Sequence, residues 1–257
     1  MFLRRLVNRK RLLRLVIFAL SALVLLVCTS LWQKDADLIQ VERVRKAIAA
    51  QPTPCPPLVI DIQSTESVAR IQAAKKDFQL TYDVPEAFQD VFFYTLSYFP
   101  ELQTSRLYFV FEALSTTLQV RPTVSSLLNN RKQRSYNIFV NSNRAFDGVF
   151  FADIPVSGQI GMLAHEFVHI LDYQHKSFFQ LLGTGLCFAS TEARSSYEKS
   201  IDLLTIYKGF GQHIQNWTYY LENNSTASDR YKTFKRSIYF GNKDIGELRK
   251  TIRPLCE

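Results

Sequence analysis

The sequence predicts an α+β protein, in which an apolar N-terminal helix precedes a domain with a small antiparallel sheet and a helical second half. Three observations predict it. Residues 15–32 carry no charged side chain, residues 106–114, 135–141 and 147–155 are short and rich in aromatic and β-branched residues, and apolar residues from 156 onward recur at three- and four-residue spacing.

The N-terminal segment is defined by charge. Arg4, Arg5, Arg9, Lys10, Arg11 and Arg14 precede "LVIFALSALVLLVCTSLW" (15–32), and no acidic residue falls before residue 33. An uncharged run of this length is just long enough to cross a bilayer as a helix, and the cations hold its start in the cytoplasm. The expected organisation is therefore a basic cytoplasmic arm (1–14), a transmembrane signal anchor (15–32), a stalk and linker (33–57) and a folded domain (58–257) outside the cytoplasm. A cleaved signal peptide is the rival reading, because Cys28-Thr29-Ser30 offers small residues at cleavage spacing. The length of the apolar run and the lack of Ala-x-Ala after it favour the anchor. Cys28 is a poor lipoprotein site, since bulky Val27 precedes it.

The formal charge of +8 does not mark a nucleic-acid binder. Without the six cations of the arm, 25 of the 31 basic residues remain, against 23 acidic ones. A nucleic-acid footprint would need basic residues clustered on the folded domain. None of the cysteines stands in Cys-x-x-Cys spacing, and in an oxidising compartment Cys55 and Cys256 could staple the ends of the domain, with Cys187 as a competing partner.

Each element follows from local pattern. Residues 35–51 have helical spacing and "PTPCPP" (52–57) ends them. Pro85 opens "VPEAFQDVFFYTLSYFP" (84–100), whose aromatic residues mark a core helix. "RLYFVFEAL" (106–114) and "SYNIFVN" (135–141) read as strands, as does "DGVFFADIP" (147–155) between a turn signal and Pro155. Helices are expected over 156–175, about 190–208 and about 211–222, with a short one near 243–251.

The chemistry concentrates in "GMLAHEFVHILDYQHK" (161–176), which holds three of the four histidines. On a helix His165 and His169 share one face and can aim ring nitrogens at one metal ion. Glu166 is turned about 100° from His165, beside the metal rather than on it, where a general base for a metal-activated water belongs. The flanking residues are apolar, so burying these three groups without partners would be costly.

The segment resembles the active-site helix of zincin metallopeptidases over roughly residues 135–215. The resemblance implies a zincin-like domain, a Zn2+ cofactor and peptide hydrolysis, with "DGVFFADIP" as a strand on the rim of the substrate site. Three candidates compete for the third ligand. "HEFVHILDYQH" matches the metzincin spacing with His175 as ligand, except that Asp172 stands where the family's glycine lets the helix turn back. If the helix continues, His175 lies about 240° around the axis from His169 and cannot reach the metal. The methionine turn of that family is also missing, because Met162 is the last methionine. In "YEKSID", Glu198 and Asp202 resemble the gluzincin Glu-x-x-x-Asp, with Glu198 on the metal and Asp202 bonded to a ligand histidine. Glu192 has no aspartate four residues on and equally suits a helix start. Glu198 is the favoured ligand.

The sequence thus leads to a membrane-anchored zinc metallopeptidase that hydrolyses peptide bonds outside the cytoplasm. Its water would be zinc-activated, with Glu166 as general base and peptides or proteins as substrates. The alternative is a non-catalytic envelope protein that keeps a zincin fold to bind a partner. Asp172 could accept a hydrogen bond from a ligand histidine or form a solvated helix-end contact, the second being favoured, and His213, Tyr219 and Tyr220 are open candidates for stabilising an oxyanion.

Overall fold

The computed structural model of the chain describes residues 32–50, 53–252 and 254–255. The arm and nearly all of the apolar run expected to cross a bilayer lie outside the described residues. Among those described, no helix is long and apolar enough to span a membrane.

The architecture corrects the expected fold class. The described chain is mostly helical, and its four-stranded sheet is mixed rather than antiparallel. The strands are β1 (Thr81–Tyr82), β2 (Arg106–Glu112), β3 (Leu118–Pro122) and β4 (Ser135–Asn141), in the spatial order β1-β2-β4-β3. Between β1 and β2 the chain passes through helix α3 (Glu86–Leu96), and such a crossover returns the chain in the same direction, so these strands pair in parallel. β2 also pairs in parallel with β4, from Arg106 opposite Ser135 to Glu112 opposite Asn141. Only β3 runs against its neighbour, with Leu118 opposite Val140 and Pro122 opposite Tyr136. Its terminal proline, which lacks an N–H, suits this edge position.

"DGVFFADIP" is not a strand. Its centre is a 3-10 turn (Phe151–Asp153), and its carbonyls are satisfied elsewhere. The Val149 carbonyl accepts from Thr117 Oγ1 at 2.7 Å, and the Phe151 carbonyl accepts from Gln159 Nε2 at 2.9 Å. Side chains thus take the place of a ladder.

The remaining helices are α1 (Trp32–Ala50), α2 (Thr65–Asp77), α4 (Val156–His175), α5 (Phe178–Cys187), α6 (Thr191–Thr205), α7 (Gly211–Asn223), α8 (Asp229–Ile238) and α9 (Asn242–Thr251). α4 is the axis of the core. Every residue from Gly158 to Tyr173 is buried, because β3, α1, α3, α6 and α7 all pack around it. Gly161 lets α7 approach closely, since a Cβ there would collide with the His213 backbone of α7. Between α6 and α7 a short π-helical segment (Ile206–Phe210) contains Gly209 at φ 98°, a left-handed conformation that a side chain would strain. This break lets α7 fold back onto α4.

Candidate metal centre

Two helices build the site. α4 presents His165, Glu166 and His169, and α6 crosses it with Glu198 and Asp202. α6 starts cleanly, because Ser190 caps it by accepting from the Ala193 N–H. Its buried side, at Tyr197, Glu198, Ile201 and Asp202, has helical spacing and faces α4.

Three ligand atoms converge. His165 Nε2 and His169 Nε2 each lie 3.2 Å from Glu198 Oε2 and 3.1 Å from each other. All three residues are buried. What lies behind the rings decides what these atoms are. His165 Nδ1 stands 2.9 Å from Asp202 Oδ1, and a carboxylate can only accept, so Nδ1 carries a proton, and in the neutral imidazole Nε2 is left with a lone pair. His169 Nδ1 lies 3.2 Å from Tyr197 Oη, which donates its own proton to Asp172 Oδ2 at 2.8 Å. That tyrosine can therefore only accept from His169, so in the neutral ring His169 Nε2 is a second lone pair.

With both imidazoles neutral, three electron pairs face one another in a buried site, an arrangement that repels unless a proton or a metal cation joins it. Three atoms at these separations can all be reached at once by a divalent ion binding at about 2.0–2.1 Å. The buried His-His-Glu group could hold a metal ion. The proton affinities describe the same demand for positive charge. Burial opposes protonation of His165, but the carboxylates of Asp202 and Glu198 outweigh it and raise its pKa to about 10. Burial would raise that of Glu198, yet the two histidines hold it well below the ordinary carboxylate value.

The supporting shell fixes both rings. Asp202 Oδ2 accepts from the Phe240 N–H at 3.3 Å, so neither oxygen of that carboxylate is idle. Asp172 is buried, not a solvated helix-end group as its position suggested. It accepts from Tyr197, pairs with Lys176 Nζ at 2.6 Å and accepts from Gln40 Nε2 of α1 at 3.1 Å. Asp172 thus holds Tyr197, and Tyr197 holds His169.

Glu166 joins none of these contacts. It lines a pocket of about 40 Å³ with His165, Asp202, Trp217, Lys235 and Tyr239, beside the ligand cluster. Leu118 of the edge strand β3 forms another wall. None of the residues of "DGVFFADIP" lines this pocket.

The other candidates lie elsewhere. α4 runs unbroken through Asp172, and His175 Nδ1 turns back to the Leu171 carbonyl at 2.8 Å. Glu192 is exposed in the first turn of α6. His213 is fully buried between Ser157 Oγ at 2.9 Å and the Pro57 carbonyl at 3.1 Å, and burial lowers its pKa to about 4. Tyr219 is exposed, and Tyr220 donates to the Asp153 carbonyl at 2.9 Å. Tyr197, Lys235 and Tyr239 were missed. Tyr197 directly precedes Glu198 and could have been read as its neighbour's support, but no local pattern marks the other two.

Comparison of the chain with family models, curated proteins and solved structures returns no match.

Proposed function

We propose that the protein is a zinc metallopeptidase of gluzincin type, working outside the cytoplasm on peptide or protein substrates. The observation that carries this reading is the convergence of His165, His169 and Glu198 on one point, each histidine held from behind by a hydrogen-bond acceptor. Two imidazoles and one carboxylate suit zinc and leave a coordination position open. Bound there, zinc would polarise a carbonyl and acidify a water. Glu166 is the residue to take that water's proton, because it lines the pocket without joining the ligand cluster. Asp202 and Tyr197 orient the imidazoles and hold their tautomers. An extracytoplasmic location is supported by the disulfide at Cys55 and by the charge pattern of the first 32 residues.

A partner-binding protein that keeps the metal site is the second reading, favoured by the narrowness of the pocket. The space of about 40 Å³ beside the ligand cluster is small for a substrate group. The two readings separate on zinc content measured together with cleavage of a broad peptide library. Stoichiometric zinc with cleavage supports the peptidase, and stoichiometric zinc without cleavage of any peptide supports the binder.

A further inference from the structure

Helix α8 brings a lysine to the pocket that the chemistry above does not use. Lys235, in the last turn of α8, is only 8% exposed and lines the same pocket as His165 and Glu166. Its Nζ lies 4.0 Å from the centre of the Tyr239 ring and 5.9 Å from that of Tyr231. Among the described residues it has no hydrogen-bond acceptor and no carboxylate within pairing distance.

The other buried lysines behave differently. Lys176 pairs with Asp172 at 2.6 Å, and Lys208, at 1% exposure, pairs with Glu101 at 2.7 Å. Burying a cation without a counter-ion is costly, and aromatic faces recover only part of that cost. Lys235 is therefore a largely buried lysine whose ammonium has no anionic partner among the described residues, and it stands in the candidate active site.

The neighbouring surface has the same sign. A second pocket shares Trp217, Lys235 and Tyr239 with the first and adds Lys232 and Arg236, against the single acid Glu222. Lys232 and Arg236 reach only the Ser225 carbonyl and Thr233 Oγ1, each at 3.4 Å. Cations on one side of a metal site select for an anion presented by the substrate.

We infer that Lys235 binds a carboxylate of the substrate, so that the enzyme prefers peptides with a negative charge close to the scissile bond. This inference rests on the peptidase reading for its context, but the anion site itself requires no metal. Two sources offer the same group, the C-terminal carboxylate of a short peptide and the side chain of an Asp or Glu within a longer one.

The test is a set of binding measurements on Glu166→Gln protein, metal-free and zinc-loaded, which separates affinity from turnover. The probes are N-acetyl-Ala-Phe and its C-terminal amide, and N-acetyl-Glu-Phe-amide and its Gln counterpart, titrated by calorimetry. A hydrogen-bonded charge pair in a pocket predicts that the carboxylate-bearing member of at least one pair binds about 10- to 100-fold more tightly. Preference within the first pair identifies the C-terminal carboxylate, and within the second an acidic side chain. Adding Lys235→Met should abolish the preference, while Lys235→Arg, which keeps the charge, should retain most of it. Equal binding within both pairs, or a preference that survives in Lys235→Met, overturns the inference. Loss of zinc binding would sink the peptidase reading alone, because the metal-free titrations still report on Lys235.

Discussion

Tyr197→Phe removes one oxygen atom and keeps the ring that packs against His169, whose centroid is 5.4 Å away. His169 Nδ1–H then loses its acceptor in a site where both residues are buried. Asp172 is not orphaned, because Lys176 and Gln40 still hold its oxygens. The loss therefore falls on the orientation and basicity of one ligand. Outer partners of this kind are worth about 10- to 100-fold in metal affinity, or about 1.4–2.7 kcal/mol. The metal-free fold loses two hydrogen bonds as well, to Asp172 and from His169, worth about 1–3 kcal/mol together. Zinc affinity would be measured by competition with a chromophoric chelator, and stability by urea denaturation of the metal-free protein. An affinity within twofold of wild type would refute the assignment of Tyr197 as the support of His169. A stability loss without a loss of zinc affinity would show that the tyrosine serves the core instead.

Other outcomes are equally definite. Glu166→Gln should bind zinc stoichiometrically and lose at least about 100-fold in turnover, the usual worth of a general base; near-normal turnover would remove Glu166 from its role. Asp202→Ala should weaken zinc by roughly 10- to 100-fold, as chelator competition would show, because His165 Nδ1 loses its acceptor. In the metal-free protein the pKa of His165 lies near 10, above its ordinary 6.5, so the folded state binds the extra proton. That contribution is complete below about pH 6.5 and is lost as pH rises toward 10, so the metal-free melting temperature should fall between pH 7 and 9. A flat profile would contradict the pairing of His165 with its carboxylates. Non-reducing peptide mapping should join Cys55 to Cys256, and recovery of Cys55 as an alkylated thiol would exclude it.

What the sequence revealed and concealed divides along physical lines. α4 (Val156–His175) was legible to the residue because its apolar pattern is continuous and Pro155 marks its start. β4 (Ser135–Asn141) was equally clear, being rich in β-branched and aromatic residues. Glu198 and Asp202 were found through their resemblance to the gluzincin Glu-x-x-x-Asp, whose four-residue spacing fits one helix face, and the structure brings both to the histidines. Pairing direction was not legible. Nothing local in 106–112 says that β4 will insert between β2 and β3. Residues 147–155 have strand composition, but whether they form a ladder depends on Thr117 and Gln159, which compete for the carbonyls. Asp172 looked like a helix-end group because Gln40 and Tyr197, which bury it, come from distant parts of the chain. Lys235 was hidden for the same reason, since only the crossing of α8 over the pocket places it there.

The most direct test of the metal centre compares the zinc content of wild type, Glu198→Ala and His175→Ala, each purified, loaded and measured by atomic emission. Glu198 Oε2 stands 3.2 Å from both ligand nitrogens, while His175 turns back to the Leu171 carbonyl. The account predicts about one zinc per chain in wild type and in His175→Ala, and almost none in Glu198→Ala, since three protein ligands leave little to spare. Zinc retained in Glu198→Ala and stripped from His175→Ala would contradict it.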